Sequence, residues 1–514
     1  MLQIENLTLT HKKDLRPLIQ NLTFSVMPKD KIAIIGEEGN GKSTLLKAIY
    51  SPLEIDSYIE ITGHIFKKGL NISYLPQELP KAYSGLTAYE YFCRDDNFFL
   101  YPQAELYLLA AKLHLPTTIF YSEQLLNSFS GGEKVKIQLA ALVLKKPDLL
   151  LLDEPSNDLD LDTLYWLETF ILESSCPVLF ISHDETLIQN CANGILHLEQ
   201  VQRKTIPRSN FSRTTYDDYV ELRHLKHQQQ NHLATNQRIQ FQKKMDRYRD
   251  IQQKVEHQQN SISRQDPHTG ALLKKKMHTV TAMGKRFQRE KEQLTDFLQY
   301  EEPIFSKLDS NIVIPNGKEI INFSLDTLKI EDRILSCNIH LQVRGPEKIS
   351  IIGKNGVGKT TLIRQIADQL LQRKDIHAAY MPQNYMDLLP MDITPVEYLA
   401  QTPDHETVSK VRTYLGSMNY TADEMLHPIN DLSGGQKAKL FLLKISVDKN
   451  DVLILDEPTR NFSPLSTPVI FQILKDFHGA IISISHDRGY LSTVCDTIYE
   501  LTPNGLQLIT SLNS

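Results

Sequence analysis

One set of sequence offsets occurs twice in this 514-residue chain, agreeing to the residue, and that repetition constrains the fold more than any other feature. A serine opening an S-G-G triplet precedes the glutamate of a D-E-P tripeptide by 24 positions in both halves, Ser130 to Glu154 and Ser433 to Glu457. The same glutamates precede a histidine by 29 positions, at His183 and His486. Each half also opens with a glycine-rich loop, GEEGNGKST from Gly36 to Thr44 and GKNGVGKTT from Gly353 to Thr361. Two copies of one nucleotide-binding unit are therefore expected, from 1 to 213 and from 303 to 514, separated by an insert at 214–302.

Apolar runs of strand length lead into each landmark: KIAIIG before the first loop, LLLLDEP and VLILDEP at the acidic pairs, VLFISHD and IISISHD at the histidines. Strands of this kind alternating with helical stretches such as TLLKAIY predict an α/β fold with a parallel or mixed sheet in each half. The longest apolar runs have core-strand length, and the N-terminus MLQIENLTLTHKKDLR lacks a long apolar stretch, so neither a membrane span nor a leader is expected. Cys93, Cys176, Cys191, Cys337 and Cys495 stand far apart without a CxxC pair, which argues against a metal ribbon or a disulfide framework and points to the cytoplasm.

The chemistry of the loops follows from their residue types. Gly36, Gly39 and Gly41, like Gly353, Gly356 and Gly358, let backbone N–H groups approach phosphate oxygens. Lys42 and Lys359 are placed to neutralise the terminal phosphates. Ser43 and Thr360, followed by Thr44 and Thr361, are candidates for Mg²⁺ or phosphate contact. Asp153 and Asp456 end apolar strands as further Mg²⁺ candidates, and the adjoining Glu154 and Glu457 are placed to orient and polarise an attacking water. Gln77 and Gln383, in LPQ and MPQ, are candidates to sense metal and water, and His183 and His486 to contact the terminal phosphate. A lone histidine after a strand is more often a satisfied core residue, but repetition at one offset favours function.

The insert has a different composition. Thr214 to Tyr300 holds sixteen Lys and Arg against ten Asp and Glu, net +6, whereas the whole chain is −6, which leaves −12 for the flanking units. Apolar residues recur along it at steps of 4, 3, 3 and 4, through Phe241, Met245, Tyr248, Ile251 and Val255, and again through Leu273, Met277, Val280, Met283 and Phe287. That spacing predicts two helices in an antiparallel coiled coil, with the turn at Asn260 to Gly270 marked by Pro267 and Gly270. Arms of this length would reach on the order of 45 to 65 Å at 1.5 Å per residue. A solvated coiled coil is often charge-rich without binding anything, but a basic arm on an acidic body more readily meets a polyanion. Arg264, His268, Lys274, Lys275 and Lys276 near the tip are the candidate RNA contacts.

These motifs, SFSGGEKVK at Ser128, DLSGGQKAK at Asp431 and both DEP sites, resemble the ATP-binding-cassette superfamily, and specifically its F class of tandem-cassette proteins that act on the ribosome. The resemblance covers essentially the whole chain. It implies ATP and Mg²⁺ as cofactors and a monomer whose two cassettes close on each other. Signature residues Ser130, Gly131, Gly132 and Glu133, and Ser433, Gly434, Gly435 and Gln436, would then complete the opposite cassette's site, pairing Lys42 with Ser433 and Lys359 with Ser130.

Within the class the chain looks most like the antibiotic-resistance, ribosome-protection branch of Gram-positive bacteria, the cues being EPTRNFSPLS at Glu457 and the SISRQDPHTG tip followed by LLKKKM. The implied partners are the 70S ribosome, its large-subunit rRNA and the P-site tRNA, with no transmembrane partner. The 53 residues from Gln77 to Ser130, against 50 from Gln383 to Ser433, leave little room for the extra arm of some housekeeping members, and only 28 residues follow His486. A housekeeping translation factor of the same class and the energy module of a membrane transporter stay open as alternatives. Two departures stand out: Ser463 replaces the acidic residue that Asp160 supplies in the first D-loop, and neither His11 nor Leu328 and Lys329 is a convincing platform for adenine.

Overall fold

The structure is a computed structural model, and it describes residues 1–157, 159–201, 206–260, 267–292, 314–330, 333–400, 404–418, 420–448, 450–460 and 462–509. The chain divides into two compact units, one comprising Met1–Tyr216 with Glu301–Ser514, the other Asp217–Tyr300.

The first unit contains both cassettes, each built on a six-stranded sheet. In the first cassette β1 (Leu2–His11), β2 (Pro17–Val26) and β4 (Ile59–Phe66) form an antiparallel layer in the order β2-β1-β4. The main sheet joins β3 (Lys31–Ile35), β5 (Ile72–Leu75), β6 (Leu149–Asp153), β7 (Val178–Ile181), β8 (Gly194–Val201) and β9 (Ile206–Ser212) in the order β5-β6-β7-β3-β8-β9. All its pairings are parallel except β8 with β9. Strands β3, β6 and β7 are buried from end to end, as continuous apolar runs covered on both faces must be. The phosphate loop, Glu154 and His183 follow the carboxyl ends of these adjacent strands, where open α/β sheets gather ligand-binding groups.

The second cassette repeats the plan. An antiparallel hairpin of β10 (Glu319–Ile330) and β11 (Arg333–Arg344) accompanies a sheet of β12 (Lys348–Ile352), β13 (Ala378–Met381), β14 (Val452–Asp456), β15 (Ala480–Ile484), β16 (Thr497–Thr502) and β17 (Gly505–Ile509). Its order, β13-β14-β15-β12-β16-β17, matches the first sheet position for position. No helix among the described residues is long and apolar enough to cross a membrane.

The second unit is a pair of long helices, Tyr216–Asn260 and Pro267–Glu292. Val255 packs on Val280, with Tyr248 and Met277 against them, while Phe241 and Tyr248 both make T-shaped ring contacts with Phe287, so the helices run antiparallel. Two expectations need correction. Ile251 is exposed and Gln252 is the half-buried residue, so the seam runs 241, 245, 248, 252, 255 and alternates steps of 4 and 3 as a heptad requires. Pro267 and Gly270 lie within the second helix, not in the turn, because proline's fixed φ and missing N–H suit the first helical position. Residues 261–266, with Arg264, lie outside the described residues.

Candidate functional site

Each phosphate loop turns from its buried strand into a helix, Lys42–Tyr50 or Lys359–Leu371, and the residue before each helix is a glycine in the left-handed region, Gly41 at φ 85° and Gly358 at φ 100°. A side chain there would be strained, and at Gly358 it would also strike Leu328 and Leu335. Lys42 is buried and its Nζ donates to the Gly36 and Glu37 carbonyls at 2.8 and 3.0 Å. Lys359 makes the same pair of bonds to Gly353 and Lys354 at 2.7 and 3.0 Å. Burial lowers both ammonium pKa values, opposed by the neighbouring carboxylates.

In the first cassette the Ser43 hydroxyl donates to Asp153 Oδ1 at 2.9 Å and the Tyr74 hydroxyl to Oδ2 at 2.8 Å. Burial raises the Asp153 pKa, and these two bonds pull against it. Glu154 is held from three sides: Gln77 Nε2 at 2.7 Å, Asn157 Nδ2 at 2.6 Å and His183 Nε2 at 3.2 Å. Burial works to raise its pKa, but His183, Asn157 and Lys42 outweigh it and bring the carboxyl down to about 2. His183 Nδ1 donates to the Phe462 carbonyl of the other cassette at 2.7 Å. Nε2 therefore donates to Glu154 only when the ring is protonated.

The second cassette presents the same positions in another electrostatic state. Glu457 is reached by the His486 backbone N–H at 3.4 Å, while His486 Nε2 stands 3.7 Å away. Burial, with the Asp456 charge beside it, pushes Glu457 up to about 8, and burial with the Lys359 charge pushes His486 down to about 3. Burial also raises Asp456, whose Oδ2 has no hydrogen-bond partner among the described residues. That orphaned acceptor, with Thr360 beside it on a cavity wall, suits a hard divalent cation. At both sites the candidate base has a left-handed backbone, φ 50° at Glu154 and 52° at Glu457. Its N–H donates to the end of the neighbouring strand, Ile181 O or Ile484 O, which turns the side chain out over the loop.

The signature serines cap their helices, Gly131–Leu144 and Gly434–Val447. Ser130 forms a reciprocal capping box with Glu133, as Ser433 does with Gln436. Gly132 is required by packing, since a Cβ there would lie 2.9 Å from Thr163 Oγ1. The two sites are composite. A cavity of 580 Å³ is lined by Lys359, Thr360, Thr361, Gln383, Asp456, Glu457 and His486 of the second cassette together with Gly131, Asn157 and His183 of the first. At the other site Glu38, in the first phosphate loop, accepts the Gly435 N–H at 2.9 Å, and a Cβ on Gly434 would meet its Oε2 at 2.7 Å. Asp160 caps the helix Leu161–Glu173 and takes the Asn355 N–H of the opposite phosphate loop at 3.4 Å. Ser463 instead bonds Ser466 within its own loop.

Sequence reasoning missed Glu38, Tyr74 and Asn157. Tyr74 and Asn157 each stand three residues from a recognised landmark, so the signal was present but not at a motif position. For adenine the structure offers no aromatic platform at the expected positions: Leu328 is buried beneath Gly358, and Ile330 lines the cavity instead. His11 pairs with Asp14 at 2.9 Å. Of the linker candidates Lys274, Lys275 and Lys276 are exposed, and the backbone of His268 lies in the first turn of its helix.

A family model described as "ABC transporter" matches residues 19–157 and 337–460, just over half of the chain. The chain is 27% identical to the probable ATP-binding protein YheS of Escherichia coli (strain K12), over 95% of this chain and 77% of that one. It is 25% identical to ABC transporter F family member 2 of Arabidopsis thaliana, over 95% and 75%, and 26% identical to the putative ATP-binding protein YdiF of Bacillus subtilis (strain 168), over 99% and 81%. Among solved structures, the archaeal ribosome recycling factor aABCE1 in complex with ribosomal stalk protein aP1 shares the tandem fold, with a TM-score of 0.60 at 16% identity over 96% of this chain and 87% of that one. The RNase-L inhibitor does so at 0.56 and 15%, over 98% and 91%. With the motif set duplicated at fixed offsets and the family match falling on both copies, the chain belongs to the ABC transporter family, as an ATP-hydrolysing ATPase of its F class.

Proposed function

We propose that this ATPase works in the cytoplasm on the 70S ribosome, entering the E site in its ATP-bound form and using the helical hairpin between its cassettes to reach the P-site tRNA and the peptidyl transferase centre. There it protects translation from large-subunit antibiotics of the pleuromutilin, lincosamide and streptogramin A classes, and hydrolysis permits its release. The observation that carries this reading is the basic hairpin: net +6 on a chain that is −6 overall, with Lys274, Lys275 and Lys276 exposed. RNA is bound largely through phosphates and 2′-hydroxyls, which such an arm suits. The fold relative ABCE1 is described as ribosome-bound in one of its structures.

At each site the phosphate-loop lysine exchanges loop carbonyls for phosphate oxygens. Ser43 with Asp153, and Thr360 with Asp456, would hold Mg²⁺, which would neutralise phosphate charge. Glu154 and Glu457 orient the water, aided by Gln77 and Gln383, while His183 and His486 face the terminal phosphate. The opposite signature glycines supply N–H donors from a helix N-terminus.

The test is co-sedimentation of the Glu154→Gln, Glu457→Gln double variant with 70S ribosomes, with and without ATP, beside drug susceptibility of a sensitive host expressing the wild type. ATP-dependent accumulation on ribosomes and raised resistance are expected; nucleotide-independent binding would sink the closure model. A general translation factor of the same class is the second reading, favoured by relatives of similar identity in Escherichia coli, Bacillus subtilis and Arabidopsis thaliana. Ribosome binding without any change in drug susceptibility would select it.

A further inference from the structure

Near His183 and His486 the cassettes are joined by a buried cation that the second cassette supplies. Arg488 opens the helix Arg488–Thr493 two residues after His486. Its guanidinium bonds Glu168 on the first cassette's helix Leu161–Glu173 and approaches Asp184 Oδ2 at 3.4 Å, with the Tyr165 ring centroid 5.0 Å away. The Arg488 side chain is 9% exposed and those of Glu168 and Asp184 are each 11% exposed. Asn190 Nδ2 donates to both Glu168 oxygens at 3.2 Å, which fixes the carboxylate plane. Asp184 follows His183 directly and caps the helix Glu185–Cys191 through the Leu187 N–H at 3.0 Å.

The matching positions of the two cassettes do not carry the same pair. Two residues after His183 stands Glu185, and fifteen residues before His486, where Glu168 stands relative to His183, the second cassette has Phe471, packed on Tyr490. One guanidinium thus ties the segment after one switch histidine to the segment after the other, in one direction. A buried ion pair adds little net stability over an apolar replacement, but it fixes geometry, because a misplaced partner leaves a charge unpaired. Asp184, one of the two partners of Arg488, is the residue after His183, whose Nε2 lies 3.2 Å from Glu154.

We propose that Arg488 is a positioning residue that seats His183 over Glu154 from the opposite cassette, so that turnover at the first composite site depends on a contact for which the first cassette has no matching residue. The proposal rests on reading Glu154 and Glu457 as the two water-orienting carboxylates and does not require the ribosome.

Steady-state ATP hydrolysis by the isolated full chain separates the sites. In the Glu457→Gln background, where only the first site turns over, Arg488→Met should lower kcat on the order of tenfold, the loss of one charge-assisted contact, with KM moving less than about twofold. In the Glu154→Gln background the same change should cost under about twofold. Arg488→Lys, which keeps the charge but loses the fork, should recover part of the first-site rate. Adding Glu168→Leu to Arg488→Met removes the unpaired carboxylate and should restore the melting temperature without restoring first-site turnover. Equal losses in both backgrounds, no loss in either, or recovery of first-site turnover together with stability would each overturn the proposal. If neither single glutamine variant lowers turnover of the otherwise wild-type chain, the reading of the two glutamates fails first and the coupling falls with it.

Discussion

At the first composite site burial works to raise the pKa of the candidate base, but His183, Asn157 and Lys42 outweigh it and draw Glu154 down to about 2. At the second, burial holds Glu457 near 8 and His486 near 3, so around neutral pH both are uncharged. The backbone is the same at both sites, down to the left-handed residue after the strand. What differs is the set of residues between the motif positions. Asn157 holds Glu154 where the second cassette has Arg460, Glu38 stands where it has Asn355, and Asp160 reaches across one site where Ser463 turns inward at the other. Repeated motifs specify where the groups sit, while their neighbours specify the charge they carry.

The largest test removes both bases. Glu154→Gln with Glu457→Gln should cut phosphate release by about 10² to 10⁴, the usual worth of a positioned general base. The single variants sharpen the comparison through pH. With Glu457 as the remaining base, the rate should climb about tenfold from pH 7 to 9 as its carboxyl ionises near 8; with Glu154 remaining, it should stay flat over that range. Parallel profiles would break the asymmetry.

Melting curves carry opposite signs for the two groups. Glu457 is raised in the fold, so its contribution is full at pH below its unfolded value near 4.5 and is lost as pH rises through about 8. Glu154 is lowered, so its contribution is present above about 4.5 and lost as pH falls toward 2. Next in size, Glu38→Asn gives the first phosphate loop the residue of the second and removes a negative charge from beside the phosphates. Nucleotide affinity at that site should rise roughly fivefold, about 1 kcal/mol, read by titration with a fluorescent ATP analogue. Smallest, Asp160→Ala should cost about 1 kcal/mol in denaturant unfolding through loss of a helix cap, whereas Ser463→Ala, which caps no helix, should cost about half as much.

The cassette fold was legible because its signals are local: strand-length apolar runs ending in glycine loops or acidic pairs, repeated at fixed intervals. The helical hairpin was legible as an amphipathic pattern, though the choice between Ile251 and Gln252 was not. Hydrophobicity favours isoleucine, but a seam must keep the heptad register to stay facing its partner. Groups acting across the cassette interface were hidden for another reason. Glu38 meets Gly435 across 397 positions of sequence and Arg488 meets Glu168 across 320, and no periodicity joins residues so far apart.

The left-handed backbone at Glu154 and Glu457 also sets a conflict between durability and turnover. Glycine or asparagine would sit in that conformation more comfortably than a long acidic side chain, by roughly 1 kcal/mol at each position. Drift toward a sturdier protein would therefore begin by erasing the two groups proposed to orient water. A search for thermostable variants that ignored hydrolysis would be drawn to these two codons and, on the proposed roles, would return inert proteins.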